Sequence, residues 1–285
     1  MKTSSMLGKE KRMWNIFKGR SKCVIVPFDD NLISGITTTD ISYAEKIRTV
    51  VQSKPDAILA YKGTCGLICD NSISRIVNIS ASTVNSKHTN KVLVSSVKEA
   101  LTLGADAVAV HINVSSRYES EMLSQLGRVS EICDEYGMPL LALAYPRKEH
   151  TDESGAVSDD NYLLLKNSNP DEYTELVCKC VKIAFELGAD IIKTQYTGSE
   201  DSFRKVVEAA NGVPVVIAGG AYMNVDDLFA MVYDATRAGA AGVSIGRNVF
   251  NREDGDRIVL AIKKVLFDGS SLGETLRFYN EGGDD

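Results

Sequence analysis

Three segments of this 285-residue chain carry the same punctuation: Leu103-Gly104-Ala105-Asp106-Ala107-Val108, Leu187-Gly188-Ala189-Asp190-Ile191-Ile192 and Ala238-Gly239-Ala240-Ala241-Gly242-Val243. Each reads as the end of a helix followed at once by the start of a strand. Glycine after the last helical turn takes the left-handed conformation that satisfies the terminal carbonyls, and the β-branched residues beyond favour a pleated, buried setting. Lys54-Pro55-Asp56-Ala57-Ile58-Leu59 is a looser copy. Upstream of the marks, Met122, Leu126, Val129 and Cys133 share one helical face, and so do Leu176, Cys180, Ile183 and Leu187. The apolar runs that follow show little polar alternation, as strands covered on both faces of a parallel sheet do. Eight such runs occur, at Cys23–Val26, Ala57–Ala60, Arg75–Ile79, Ala107–Ile112, Leu140–Ala144, Ile191–Thr194, Val215–Ala218 and Gly242–Ile245. Eight strands separated by helices predict an α/β fold, a single-domain TIM (β/α)8 barrel, with an open doubly wound sheet as the rival.

The barrel is expected over residues 23–268, after a basic helical extension at 1–22 and before a C-terminal tail at 269–285 that reads as frayed from Tyr279 onward. Lys9, Lys11, Arg12, Lys18, Arg20 and Lys22, with Trp14, Ile16 and Phe17 among them, suit either a membrane or nucleic-acid arm or a helix that closes the barrel bottom or joins a subunit interface. Strand five is followed by a long connection, 148–169, leading to a helix near Pro170. It contains Glu149, Asp152, Glu153, Asp159 and Asp160, and reads as a lid or subunit contact whose acidity argues against a second anionic substrate group there.

With 44% hydrophobic and 25% charged residues, the composition is that of a soluble globular protein. No apolar run approaches a membrane span and the first twenty residues lack a secretory pattern, so a cytoplasmic protein without a membrane partner is expected. A net charge of −6 gives no broad footprint for nucleic acid. The six cysteines form no CxxC pair and His88, His111 and His150 no ligand-spaced cluster, so no metal site is expected. His88 and His150 read as loop residues, and His111, at a strand end, either lines the pocket or, as the favoured reading, is packed or hydrogen-bonded.

In such a barrel the working groups lie at the carboxyl ends of the strands. Lys193 ends strand six directly after Ile191 and Ile192, a poor place for a solvated ammonium. Burial disfavours the charged form, and a neutral amine attacks a ketone to give an iminium, the electron sink for carbon–carbon chemistry. The other reading is a lysine paired structurally with a carboxylate. Asp29, after strand one, suits proton relay or simple loop and cap duty. Tyr145, closing strand five, suits proton exchange with a hydroxyl or plain packing. Gly219-Gly220 after strand seven and Gly246-Arg247 after strand eight occupy the two loops that commonly bind phosphate in this fold, with Arg247 supplying a fork. A phosphorylated small molecule is the expected ligand.

The segments ADIIKTQYTG around Lys193, AYPR around Tyr145, VVIAGG at strand seven and AAGVSIGRNVF at strand eight resemble the Schiff-base class I aldolases that include archaeal-type fructose-bisphosphate aldolase and 2-amino-3,7-dideoxy-D-threo-hept-6-ulosonate synthase. The resemblance spans about residues 20–265. It implies that Lys193 is the Schiff-base lysine, Tyr145 the acid/base residue and Asp29 the assisting carboxylate. It assigns substrate phosphate to Gly219, Gly220, Gly246 and Arg247. The partners it implies are a phosphorylated ketone or ketose and an aldehyde, with no cofactor beyond the covalent lysine intermediate, in a homo-oligomer that in the family is often a decamer. ADAVAVHINVSS, YGMPLLALAYPR and SFRKVV resemble the heptulosonate synthase branch, and Leu143 stands where the glycolytic branch commonly has tryptophan. Asp29-Asp30-Asn31 replaces a frequent Asp-His-Gly, and Gly219-Gly220-Ala221-Tyr222 a frequent Gly-Gly-Pro-Lys. The long connection also departs from the family pattern and is similar to a specialised biosynthetic aldolase joining dihydroxyacetone phosphate to aspartate semialdehyde. The competing readings are a fructose-bisphosphate aldolase, a coenzyme A-dependent thiolase acting on a phosphorylated dione, and a non-catalytic phosphosugar-binding barrel.

Overall fold

The computed structural model describes residues 2–34, 43–86, 88–151, 154 and 157–282; Asp152 and Glu153 of the long connection and the last three residues of the tail lie outside them. Strands β1 (Cys23–Pro27), β2 (Ala57–Ala60), β3 (Ser74–Asn78), β4 (Ala107–Val114), β5 (Leu140–Pro146), β6 (Ile191–Gln195), β7 (Val215–Ala218) and β8 (Gly242–Ser244) form a closed barrel. Neighbours pair in parallel, and β1 closes the barrel against β8. All eight expected strands are present. β4, β5 and β6 run past the expected ends, because polar residues at the mouth continue the pleat. The three punctuation glycines Gly104, Gly188 and Gly239 sit at φ of 71°, 83° and 101°, the left-handed helix ending their pattern required.

Alternation along each strand separates two apolar layers. Ile25, Leu59, Ile76, Leu141, Leu143, Ile191 and Val216 fill the barrel interior. Val24, Val26, Ile58, Val108, Val110, Ile192 and Ile217 face the surrounding helices. On helix Glu119–Tyr136 the buried residues are Met122, Leu126, Val129 and Cys133, the expected face. On helix Pro170–Glu186 the stripe is rotated: Tyr173, Val177, Cys180, Val181 and Ala184 are buried. Leu176, Ile183 and Leu187 lie on its half-buried flank, because smaller side chains allow the closer approach to the sheet.

The N-terminal helix Ser4–Phe17 inserts Ile16 and Phe17 into the interior layer, plugging the amino end of the barrel. Two of its polar side chains reach aspartates that precede strands: Lys9 pairs with Asp190 (3.0 Å), as well as with Asp134 on helix Glu119–Tyr136 (2.5 Å), and Asn15 Nδ2 donates to Asp106 (2.8 Å). Just beyond the helix, Arg20 pairs with Asp56. The same aspartates that mark the sequence repeat therefore dock this helix. The C-terminal tail departs from expectation: Leu272–Asn280 is a helix with a Ser271/Glu274 capping box. Tyr279 lies in its last turn, donating to Asp254 and stacking edge-on to Phe229. The long connection forms a hairpin, Lys148–Thr151 with Val157–Asp160, then a short helix, Leu163–Ser168. No helix among the described residues is long and apolar enough to cross a membrane.

Candidate active site

A cleft opens at the carboxyl end of the barrel, lined by Asp29, Tyr145, Lys193, Gly219, Gly220, Gly246 and Arg247, all seven of the expected site residues. Strand register explains the convergence. Lys193 pairs with Leu143 on one side and Val216 on the other, both interior residues, so the two-residue period points its side chain into the barrel. Two residues further on, Tyr145, Gln195 and Ala218 form the next layer at the mouth. Lys193 is only 7% exposed.

Burial drives the Lys193 amine below the ordinary lysine range, against the opposing pull of the Asp29 and Asp30 charges, while Arg247 lowers it further. Burial raises the Asp29 carboxyl, and the Lys193 charge and a hydrogen bond from Asn78 counteract it. Burial and the Asp29 charge together hold the proton on Tyr145. A base with a weakened hold on its proton, a carboxyl with a strengthened one and a protonated phenol thus share one water-poor space.

The two glycine turns are locked to each other. Asn248, fully buried, donates through Nδ2 to Gly219 O (3.1 Å) and Ala221 O (2.8 Å), and its Oδ1 accepts from Met223 N (2.9 Å). Arg247 Nη2 donates to Gly220 O (2.8 Å). A side chain at Gly246 would bring Cβ within 2.5 Å of Pro27 O, so only glycine allows this approach of the last turn to β1. Ser244 Oγ is buried in the same cleft without a hydrogen-bond partner among the described residues. Tyr222, where a cation is frequent in the resembling family, carries Arg252 stacked 4.4 Å over its ring.

The sequence profile of the DeoC/LacD family aldolases matches residues 23–252. The chain belongs to the DeoC/LacD aldolase family. This aldolase is 37% identical over 279 residues to 2-amino-3,7-dideoxy-D-threo-hept-6-ulosonate synthase 1 of Archaeoglobus fulgidus, covering 96% of each chain. It is 34% identical over 254 residues to 2-amino-4,5-dihydroxy-6-oxo-7-(phosphonooxy)heptanoate synthase of Streptomyces griseus, covering 87% of this chain and 86% of the relative. Among solved structures, an archaeal fructose-1,6-bisphosphate aldolase with its catalytic lysine covalently bound to the carbinolamine intermediate of the substrate superposes with a TM-score of 0.76. The two share 26% identity over 90% of this chain and 99% of that one.

His111 lies within β4 rather than at its end; it lines the cleft, one of the two readings open to it, and it is also hydrogen-bonded to Ser80. Burial keeps its ring neutral. His88 and Arg147 also line the cleft. Behind His88, the fully buried Lys91 donates to His88 Nδ1 and to Ser82 Oγ, each at 2.6 Å. Burial and the Arg147 charge push the Lys91 amine down to about 7. The acidity of the long connection thus meets a cationic group at the mouth, while Glu149 turns away to accept from Ser116 Oγ (3.0 Å). Arg147 and Gln195 were accessible by counting two residues on from Tyr145 and Lys193. His88 and Lys91 lie in the loop after β3, where no periodicity places a side chain. Among the described residues, no three His, Cys, Asp or Glu side chains are placed to hold a metal ion.

Proposed function

We propose that this enzyme is a Schiff-base aldolase that builds a phosphorylated ketose from a phosphorylated three-carbon ketone and an aldehyde, through an imine on Lys193. The carrying observation is the inward, buried placement of Lys193 one layer below Tyr145, with its charge coupled to Asp29.

The neutral amine attacks the ketone carbon to give a carbinolamine. Asp29 delivers a proton to the departing hydroxyl, and water leaves as the iminium forms. Asp29, now the carboxylate, takes a proton from the neighbouring carbon to yield the enamine, whose carbon bonds to the aldehyde carbon while Tyr145 protonates the nascent alkoxide. Addition of water to the new iminium frees the product and restores the amine. The imine is itself the electron sink, so no cofactor enters these steps. Gly219, Gly220, Gly246 and Arg247 anchor the donor phosphate and hold the ketone over Lys193; proximity of this kind lowers a barrier by up to about 7–11 kcal/mol.

The name of the Streptomyces relative's product describes a seven-carbon 2-amino acid with a phosphorylated ketone end. Disconnecting its C4–C5 bond gives dihydroxyacetone phosphate and 2-amino-4-oxobutanoate, the substrate pair we assign here. The working enzyme is read as a cytoplasmic homo-oligomer. Borohydride reduction with dihydroxyacetone phosphate, followed by peptide mass mapping, is expected to find the adduct on the Lys193 peptide. An adduct elsewhere, or none, overturns the reading.

A further inference from the structure

Arg147 is a cation of this cleft that the steps above do not use. It follows Tyr145 by two residues, and both line the cleft with Lys193. Its Nε and Nη1 atoms are buried and have no hydrogen-bond partner among the described residues. Asp159 acts on it only through longer-range charge attraction. A folded chain seldom leaves two N–H groups of a buried guanidinium unsatisfied, and in a binding cleft the missing partner is an anionic ligand.

Three features set this position apart from the donor phosphate site. It directly follows β5, whereas the glycine turns follow β7 and β8. Arg247 is already committed in part to Gly220 O. The backbone beside Arg147 offers no N–H groups, since Pro146 has none and the Arg147 N–H donates to Val114 O (2.9 Å). What remains is a planar, permanently charged guanidinium with unsatisfied N–H donors and no surrounding cradle of backbone N–H groups, which suits a small planar carboxylate better than a phosphate.

We propose that Arg147 binds the carboxylate of the acceptor aldehyde and so makes the aldolase select acid-bearing aldehydes over neutral ones. The assignment rests on the imine reading of Lys193 and adds the residue that reads the second substrate.

The test is a specificity ratio, with dihydroxyacetone phosphate as donor and succinate semialdehyde or butanal as acceptor. In R147M the kcat/KM ratio of acid to neutral acceptor is expected to fall by about 30-fold, chiefly through KM for the acid, with R147K intermediate. Should R147M fail to fold by circular dichroism, R147Q carries the same comparison. A ratio unchanged within about two-fold in these variants overturns the assignment, as does a loss confined to glyceraldehyde 3-phosphate as a third acceptor. Borohydride trapping of the unsubstituted enzyme with donor alone reads the imine separately. Absence of the Lys193 adduct sinks both readings, whereas an adduct with an unchanged ratio sinks this one alone.

Discussion

Asn78 Nδ2 donates to Asp29 Oδ2 at 2.7 Å, joining the carboxyl ends of β3 and β1 beneath the cleft. Asn78 Oδ1 accepts in turn from Ser80 N (3.1 Å) and Ser80 Oγ (3.2 Å). Ser80 Oγ lies 3.1 Å from His111 Nδ1. With its one proton spent on Asn78, the hydroxyl accepts from His111, which places the imidazole proton on Nδ1. The carboxylate proposed to relay protons is therefore held by uncharged groups.

The N78L substitution tests that arrangement. The Asn78 bond favours the carboxylate form and so lowers the Asp29 pKa. Its loss raises that pKa further, and because Asp29 is used as a proton donor the alkaline limb of the kcat/KM profile is expected to move to higher pH. kcat should fall by about ten-fold or more through loss of positioning. A pH profile that overlays the unsubstituted enzyme would disprove the role.

Replacing Lys193 by Met should abolish turnover and borohydride trapping while raising the melting temperature. The buried amine has a depressed pKa, so below the ordinary lysine value the unfolded chain binds more protons than the folded one and folding is opposed. The stability gained by K193M is therefore greatest below the lowered pKa of the folded amine. It shrinks as pH rises from there toward about 10.4, where unfolded lysine loses its proton. Calorimetry across that range reads the trend, and a gain that grows with pH contradicts it.

Ile16 is fully buried at the barrel bottom, at the opposite end from the cleft. I16A removes interior contacts and is expected to cost about 2–5 kcal/mol of unfolding free energy, measured by urea denaturation. Steady-state constants below the transition should not change. A KM shift comparable with that of cleft variants would mean that the plug communicates with the mouth.

Asn248 satisfies two carbonyls and one N–H of the glycine turns. N248A leaves those groups without partners, at about 1–3 kcal/mol each before solvent compensates. It should raise KM for dihydroxyacetone phosphate far more than for unphosphorylated dihydroxyacetone. Equal effects on the two ketones would remove the turns from phosphate binding.

The barrel was legible in the sequence because its signals are local. Gly104, Gly188 and Gly239 need only their own helix ends to require a left-handed residue, and each apolar strand declares its burial by composition. Lys193 was legible because an amine after two isoleucines on a buried strand has nowhere to point but inward. The tilt of helix Pro170–Glu186 was not, since Leu176 and Cys180 compete for one face and only contact with the sheet chooses between them. The order of Tyr279 depends likewise on Asp254 and Phe229, which no nearby residue announces.

What the sequence determined by itself was the class of fold and the chemistry on offer: eight buried strands, an amine, a carboxyl, a phenol and two glycine turns. Tertiary structure alone decided which long-range partners they meet. Asn78 beneath Asp29, Asn248 across two turns, Lys91 behind His88, and Arg147 Nε and Nη1 without a hydrogen-bond partner among the described residues are outcomes of how separate strands and loops meet. Side-chain type and periodicity are written along the chain, whereas hydrogen-bond partners and desolvation arise only when the closed barrel brings distant segments together and removes water from between them.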